Sequence, residues 1–94
     1  MTTVYKYDLT MSEVNDIVHF DMPAGARILS AGNQRERLCV WAEVDPARRP
    51  VSRRFRVAGT GHPLKLPVNA VFVGTVLFMH GELVLHVYDL GEVG

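Results

Sequence analysis

Apolar positions are most concentrated over residues 71–90, and the rest of the chain is best understood from that stretch. It runs V-F-V-G-T-V-L-F-M, then His80-Gly81, then E-L-V-L-H-V-Y-D-L. Two apolar runs rich in β-branched and aromatic residues, separated by X-Gly, predict a hairpin with a type I′ turn, which needs φ > 0 at both central positions. Folding about His80-Gly81 sets Met79 opposite Glu82, Leu77 opposite Val84, Thr75 opposite His86 and Val73 opposite Tyr88. The strand period of two then puts Phe72, Val76, Phe78, Leu83, Leu85 and Val87 on one face, the expected core. The other face carries Val71, Val73, Leu77 and Val84 together with Thr75, His86 and Tyr88. A sheet apolar on both faces is buried on both, closes over a pocket, or meets a partner.

The same period predicts further short strands. Positions 4–9 and 17–22 alternate, and Pro23-Ala24-Gly25 stops the second with turn chemistry. Residues 10–16 have capping-box spacing at Thr10 and Glu13 but no sustained helical period, so a loop or single turn is expected. Residues 27–32 form a third strand, with Ile28 and Leu29 pointing to opposite faces. Residues 38–44 form a fourth, with Leu38, Val40, Ala42 and Val44 on one face and Cys39, Trp41 and Glu43 on the other. Residues 45–50 are a turn-rich link whose two prolines cannot donate to a central ladder. Residues 51–58 resume the alternation, with Phe55 and Val57 inward and Arg54 and Arg56 outward. Short strands divided by Gly and Pro turns predict one all-β domain over residues 1–94, a small antiparallel sandwich or partly closed barrel with a C-terminal hairpin.

Composition narrows the function classes. With 94 residues, 48% apolar and 21% charged, the chain suits a single core rather than disorder. Net charge is zero, so nucleic acid and anionic membranes are not favoured partners. The charge is uneven, however. Arg48, Arg49, Arg53, Arg54 and Arg56 crowd one stretch without an acidic residue, either as a solvated face or as an anion-binding one. A lone cysteine, Cys39, fits a reducing cytosol and a buried hydrophobe. M-T-T-V-Y-K-Y-D lacks an apolar signal region, and a soluble intracellular protein is expected.

Several segments follow the order of a known family. They are Met22-Pro23-Ala24-Gly25-Ala26-Arg27-Ile28-Leu29-Ser30, Trp41-Ala42-Glu43-Val44-Asp45, Phe55-Arg56-Val57-Ala58-Gly59-Thr60-Gly61-His62-Pro63, Val73-Gly74-Thr75-Val76 and Leu85-His86-Val87-Tyr88. From Met22 onward the chain resembles a small bacteriophage and prophage protein family grouped as a domain of unknown function. The resemblance implies a phage-encoded accessory protein in the cytoplasm of the infected bacterium, and it transfers no catalytic residues.

Candidate chemistry centres on Gly59-Thr60-Gly61-His62-Pro63. Two glycines around a threonine let main-chain N–H groups converge on an anion, with Thr60 and His62 adding polar side chains. The alternative is a strand-ending turn in which glycine solves a backbone problem. Arg54 and Arg56 lead into this motif and are the expected charge partners. His86 facing Thr75 is a second candidate, with Tyr88 on the same face offering a ring to stack on; Trp41 offers another, or a core side chain. His19, His62, His80 and His86 lack zinc-site spacing, so no metal is expected. No cofactor motif, nucleophile elbow or carboxylate pair is present, which argues against an enzyme. The expected function is non-enzymatic: an oligomer, first choice a dimer, sequestering a small anionic or nucleotide-like ligand. A module gripping a host or phage protein, and a minor virion component, are the alternatives.

Overall fold

Period-two alternation becomes seven strands in a computed structural model that describes residues 1–9 and 17–93. They are β1 (Thr3–Asp8), β2 (Ile17–Pro23), β3 (Arg27–Gln34), β4 (Arg37–Val44), β5 (Pro50–Gly59), β6 (Val71–Phe78) and β7 (Leu83–Glu92). The loop or turn expected over residues 10–16 lies outside the described residues. Every pairing is antiparallel, in a three-stranded sheet of order β1-β4-β3 and a four-stranded sheet of order β2-β5-β7-β6. The two sheets pack face to face as a sandwich, not as a closed barrel. Pro50 opens β5, where its missing N–H costs the ladder least.

The core lies between the sheets. Val40, Ala42 and Val44 from β4 meet Phe55 and Val57 from β5 and Val87 from β7, all buried. Phe20 stands edge-on to Phe55 at 6.5 Å and to Tyr7 at 6.2 Å, which joins strands of both sheets along one side.

The C-terminal hairpin keeps its predicted turn and half of its predicted register. His80 and Gly81 have φ of 58° and 89°, and the Glu82 amide donates to the Met79 carbonyl at 3.1 Å. Leu77 faces Val84 and Thr75 faces His86. Beyond that point the register shifts: Phe72, not Val73, faces Tyr88, and Gly74 faces Val87. A β-bulge adds one residue to a strand and reverses its parity. Phe72, expected in the core, is therefore turned outward and is 54% exposed, while Val73 packs against the core. Leu83, also expected in the core, lies beside the turn and is 37% exposed, because Met79 to Glu82 leave the ladder and no strand covers it.

Strands β5 and β6 each pair antiparallel with β7, so they run parallel with β7 between them. Residues 60–70 must cross from one end of the sheet to the other. Its inner face is filled by the opposite sheet, and the crossover runs on the outer face. Its start is tied where Thr60 Oγ1 lies 2.7 Å from His86 Nε2. Near its end, Asn69 Nδ2 sits 3.8 Å from where a Cβ on Gly91 would be.

A buried ion pair helps tie the sheets together. Arg53 points inward, on the Phe55 side of β5. It donates through Nε and Nη2 to the two oxygens of Asp89 at 3.0 and 2.7 Å, and through Nη1 to the Ala26 carbonyl at 2.9 Å. Both side chains are nearly buried, at 12% and 11% exposure. The hydrogen bond that Arg53 donates to Asp89, opposed by partial burial, holds its guanidinium above the ordinary value. Removing one partner strands the other charge, at a cost of about 3–5 kcal/mol, whereas replacing both by apolar groups is often neutral. Arg53→Ala is therefore expected to lose that much in urea unfolding, and Arg53→Met with Asp89→Leu to recover most of it. A single variant within about 1 kcal/mol of the native protein contradicts this account.

Candidate functional site

The outer face of the four-stranded sheet collects most of the residues singled out from the sequence. Register sets them in rows across the strands. One row reads Ile17, Arg56, Tyr88, Phe72, and the next reads Ala58, His86, Thr75. On the other side of the first row, His19 faces Arg54 and Arg54 faces Gly91. The Phe72 and Tyr88 rings meet edge to face, with centroids 5.5 Å apart. A guanidinium and two aromatic rings thus lie side by side on three neighbouring strands.

Arg54 and Arg56 project from the same face of β5, roughly 7 Å apart by the strand rise. The Nε of each is buried and has no hydrogen-bond partner. Arg54 Nη2 makes one long contact, 3.4 Å, to the Leu90 carbonyl. Carboxylates are spent elsewhere: Glu43 on Arg27, Asp8 on Arg37, Asp89 and Glu92 on Arg53. Among the described residues none pairs with Arg54 or Arg56. An unpaired buried donor costs about 1–3 kcal/mol, so a pair of them on one face calls for an explanation.

The crossover frames the site. Gly59 ends β5, and the His62 amide donates to the Gly59 carbonyl at 3.3 Å with Gly61 at φ +83°. Gly59, Thr60, Gly61 and His62 thus form a β-turn that needs glycine at its third position. His86 links this turn to the hairpin: Nε2 meets Thr60 at 2.7 Å and Nδ1 meets Thr75 at 3.0 Å. With a hydroxyl at each ring nitrogen, the imidazole is held in place whichever nitrogen carries the proton.

Trp41 stands apart. It projects from the outer face of the three-stranded sheet, lying over Gly32, where a Cβ would come 3.2 Å from the indole. The sandwich separates it from Arg54, Arg56, Tyr88 and His86. Cys39, on the same face as Trp41, is buried, and burial followed by the nearby Asp8 charge pushes its thiol up, away from the thiolate. Among the described residues no three His, Cys, Asp or Glu side chains gather as a metal site. No helix among them is long and apolar enough to cross a membrane.

Phe72 was not among the residues picked from the sequence, because its side depends on the bulge. Gly74 is the available signal, since a glycine inside a strand marks a bulge or a close approach. Here it marks the bulge, while a Cβ on Gly74 would meet Ala31 of the opposite sheet at 3.7 Å, an ordinary contact.

If the Thr60 hydroxyl ties the crossover to His86, Thr60→Val loses about 1 kcal/mol and speeds amide exchange over residues 61–66, while Thr60→Ser keeps both. Unchanged exchange in Thr60→Val removes the tie from this account.

No curated protein and no solved structure matches this chain. A family described as a domain of unknown function, DUF7352, matches residues 1–93, and the chain belongs to that family.

Proposed function

We propose that the chain is a non-enzymatic accessory protein, of bacteriophage origin as its sequence resemblance implies, that sequesters a small anionic, nucleotide-like ligand on the outer face of its four-stranded sheet. The observation that carries this reading is the pair Arg54 and Arg56, each with a buried, unpartnered Nε, set beside Tyr88 and Phe72. Guanidinium groups suit the oxygens of a phosphate, and an aromatic pair one strand away suits a flat ring. Thr60, Thr75 and His86 border the same face and offer hydroxyl and imidazole contacts. Gly59, Gly61 and His62 shape the turn that starts the crossover over it.

A thermal melt against a panel of nucleotides, with inorganic phosphate as the minimal probe, tests the reading, since a ligand of the native state raises stability by mass action. Arg56→Met should weaken binding roughly tenfold to hundredfold, the loss of one charged hydrogen bond worth about 1.5–3 kcal/mol. Without ligand the same variant should be no less stable than the native protein, because it removes a buried donor that had no partner. A variant that melts several degrees lower, with no nucleotide shifting the native melt, makes Arg56 structural. The interaction-module reading then leads.

That second reading has its own support at the hairpin end, where Leu77, Met79 and Leu83 are each exposed around the turn. A symmetric homodimer through these residues is part of the proposal, since two-fold association is the commonest way to cover such side chains. Light scattering at high protein concentration should return the dimer mass, and Leu77→Asp the monomer. A monomer mass for the native chain removes this part.

A further inference from the structure

A second site opens between the two sheets, away from Arg54 and Arg56. Strands β3 and β6 run side by side along one flank of the sandwich. At one end they are closed by side chain to main chain bonds: Asn33 Nδ2 donates to the Leu77 carbonyl at 3.0 Å, and the Met79 amide to Glu36 Oε2 at 3.3 Å. At the other end both strands carry a bulge, β3 between Ile28 and Ser30 and β6 between Phe72 and Gly74. The two irregularities flank a cleft of about 530 Å³. Bulges recur beside binding sites because they re-aim side chains and end pairing. The volume is in the range that holds a small organic ligand.

The lips of the cleft are apolar, with Ile28 and Leu29 on one side and Val71 and Phe72 on the other. Its polar groups include Arg53 and Asp89. Their charges cancel each other, and the other charged lining residue, Arg27, is exposed and lies 3.9 Å from Glu43. An added ion would therefore be desolvated at the ion pair without a free counter-charge beside it. Their hydrogen bonding is not exhausted. Arg53 has five N–H groups, and single bonds run from Nε, Nη2 and Nη1. Asp89 Oδ1 accepts from Arg53 and from the Gly91 amide, but Oδ2 accepts from Arg53 Nη2 alone. One N–H on Nη2 therefore remains beside one lone pair on Oδ2.

The geometry points to a neutral, planar heterocycle with a lactam edge as the ligand of this cleft, its ring between the apolar lips and its adjacent C=O and N–H paired with Arg53 Nη2 and Asp89 Oδ2. A lactam presents an acceptor and a donor side by side, matching the donor and acceptor left over on the ion pair. Neutrality fits the balanced charge. The pyrimidine base of uridine is a minimal probe of this chemistry. The inference does not use Arg54 or Arg56, which do not line the cleft, although Phe72 borders both sites.

The test is a titration of the full chain, labelled with nitrogen-15, with uridine and with 3-methyluridine, in which the lactam N–H is replaced. Uridine at millimolar concentration should shift the Arg53 Nε–H signal and the Gly25 and Gly91 amides. 3-Methyluridine should bind at least about tenfold more weakly, since a site built to pair an N–H is left with an unpaired acceptor. Leu29→Lys, at an exposed lip position, should abolish the shifts while leaving the melt unchanged. Equal affinity for both nucleosides overturns the inference, as does an unmoved Arg53 signal with uridine, thymidine and inosine. Shifts confined to Arg54 and Arg56 also overturn it, and move ring capture to the outer face.

Discussion

The pairing of Arg53 with Asp89 is the constraint on which the rest of this sandwich depends. Placing two opposite charges between sheets is expensive, because each loses its water, and their attraction repays the cost only with good geometry and full hydrogen bonding. Here the carboxylate takes two bonds from the guanidinium and one from the Gly91 amide, and the guanidinium reaches across to Ala26 at the start of β3. The pair therefore does more than hold β5 to β7. It sets the height of β3 above them, and the Gly25 amide bonded to Glu92 at 2.7 Å adds a second tie at the same corner. An apolar replacement could fill the volume, but it would not fix which carbonyl of β3 lies over which residue of β5. Without that tie, the two bulged strands would have little reason to stand apart at one end and meet at the other.

Most of the fold could be read from periodicity because a strand that buries one face must alternate. The parity of β4 and β5 was legible for this reason, and so was the His80-Gly81 turn, whose positive φ angles limit the residues that fit. The half of the hairpin near the turn followed, since register is counted from there. What failed was everything beyond Val73, because a bulge is one extra residue with no required side chain, and each position past it changes face. Phe72 and Val73 exchanged roles on that account alone. The grouping of strands into sheets is likewise non-local, and no pattern in β4 says that its outer face lies opposite that of β5. Trp41 was thereby parted from the residues it had been grouped with. The inward direction of Arg53 was legible in principle, since it shares parity with Phe55 and Val57, as Asp89 does with Val87. Two opposite charges with core parity on neighbouring strands are the signature of a buried ion pair.

Arginines 53, 54 and 56 show how strand parity divides one residue type between two tasks. Arg53 faces inward, where each of its three nitrogens makes a bond and its charge is cancelled. Arg54 and Arg56 face outward, on the face the crossover traverses, with Nε groups that are buried and have no partner. In a chain selected for stability alone, a side chain shielded in this way would be apolar, since an unmet donor subtracts from stability and an exposed arginine adds little. Their retention there is understandable if something outside the chain completes them. The crossover has a matching logic. It leaves β5 through a turn that glycine permits, is caught by His86 through Thr60, and returns to the sheet near Gly91, whose φ of +90° favours glycine. A connection tied to His86 at its start runs over the same face as two arginines that no described carboxylate neutralises. Cations left un-neutralised on a fixed sheet are what a preformed anion site requires.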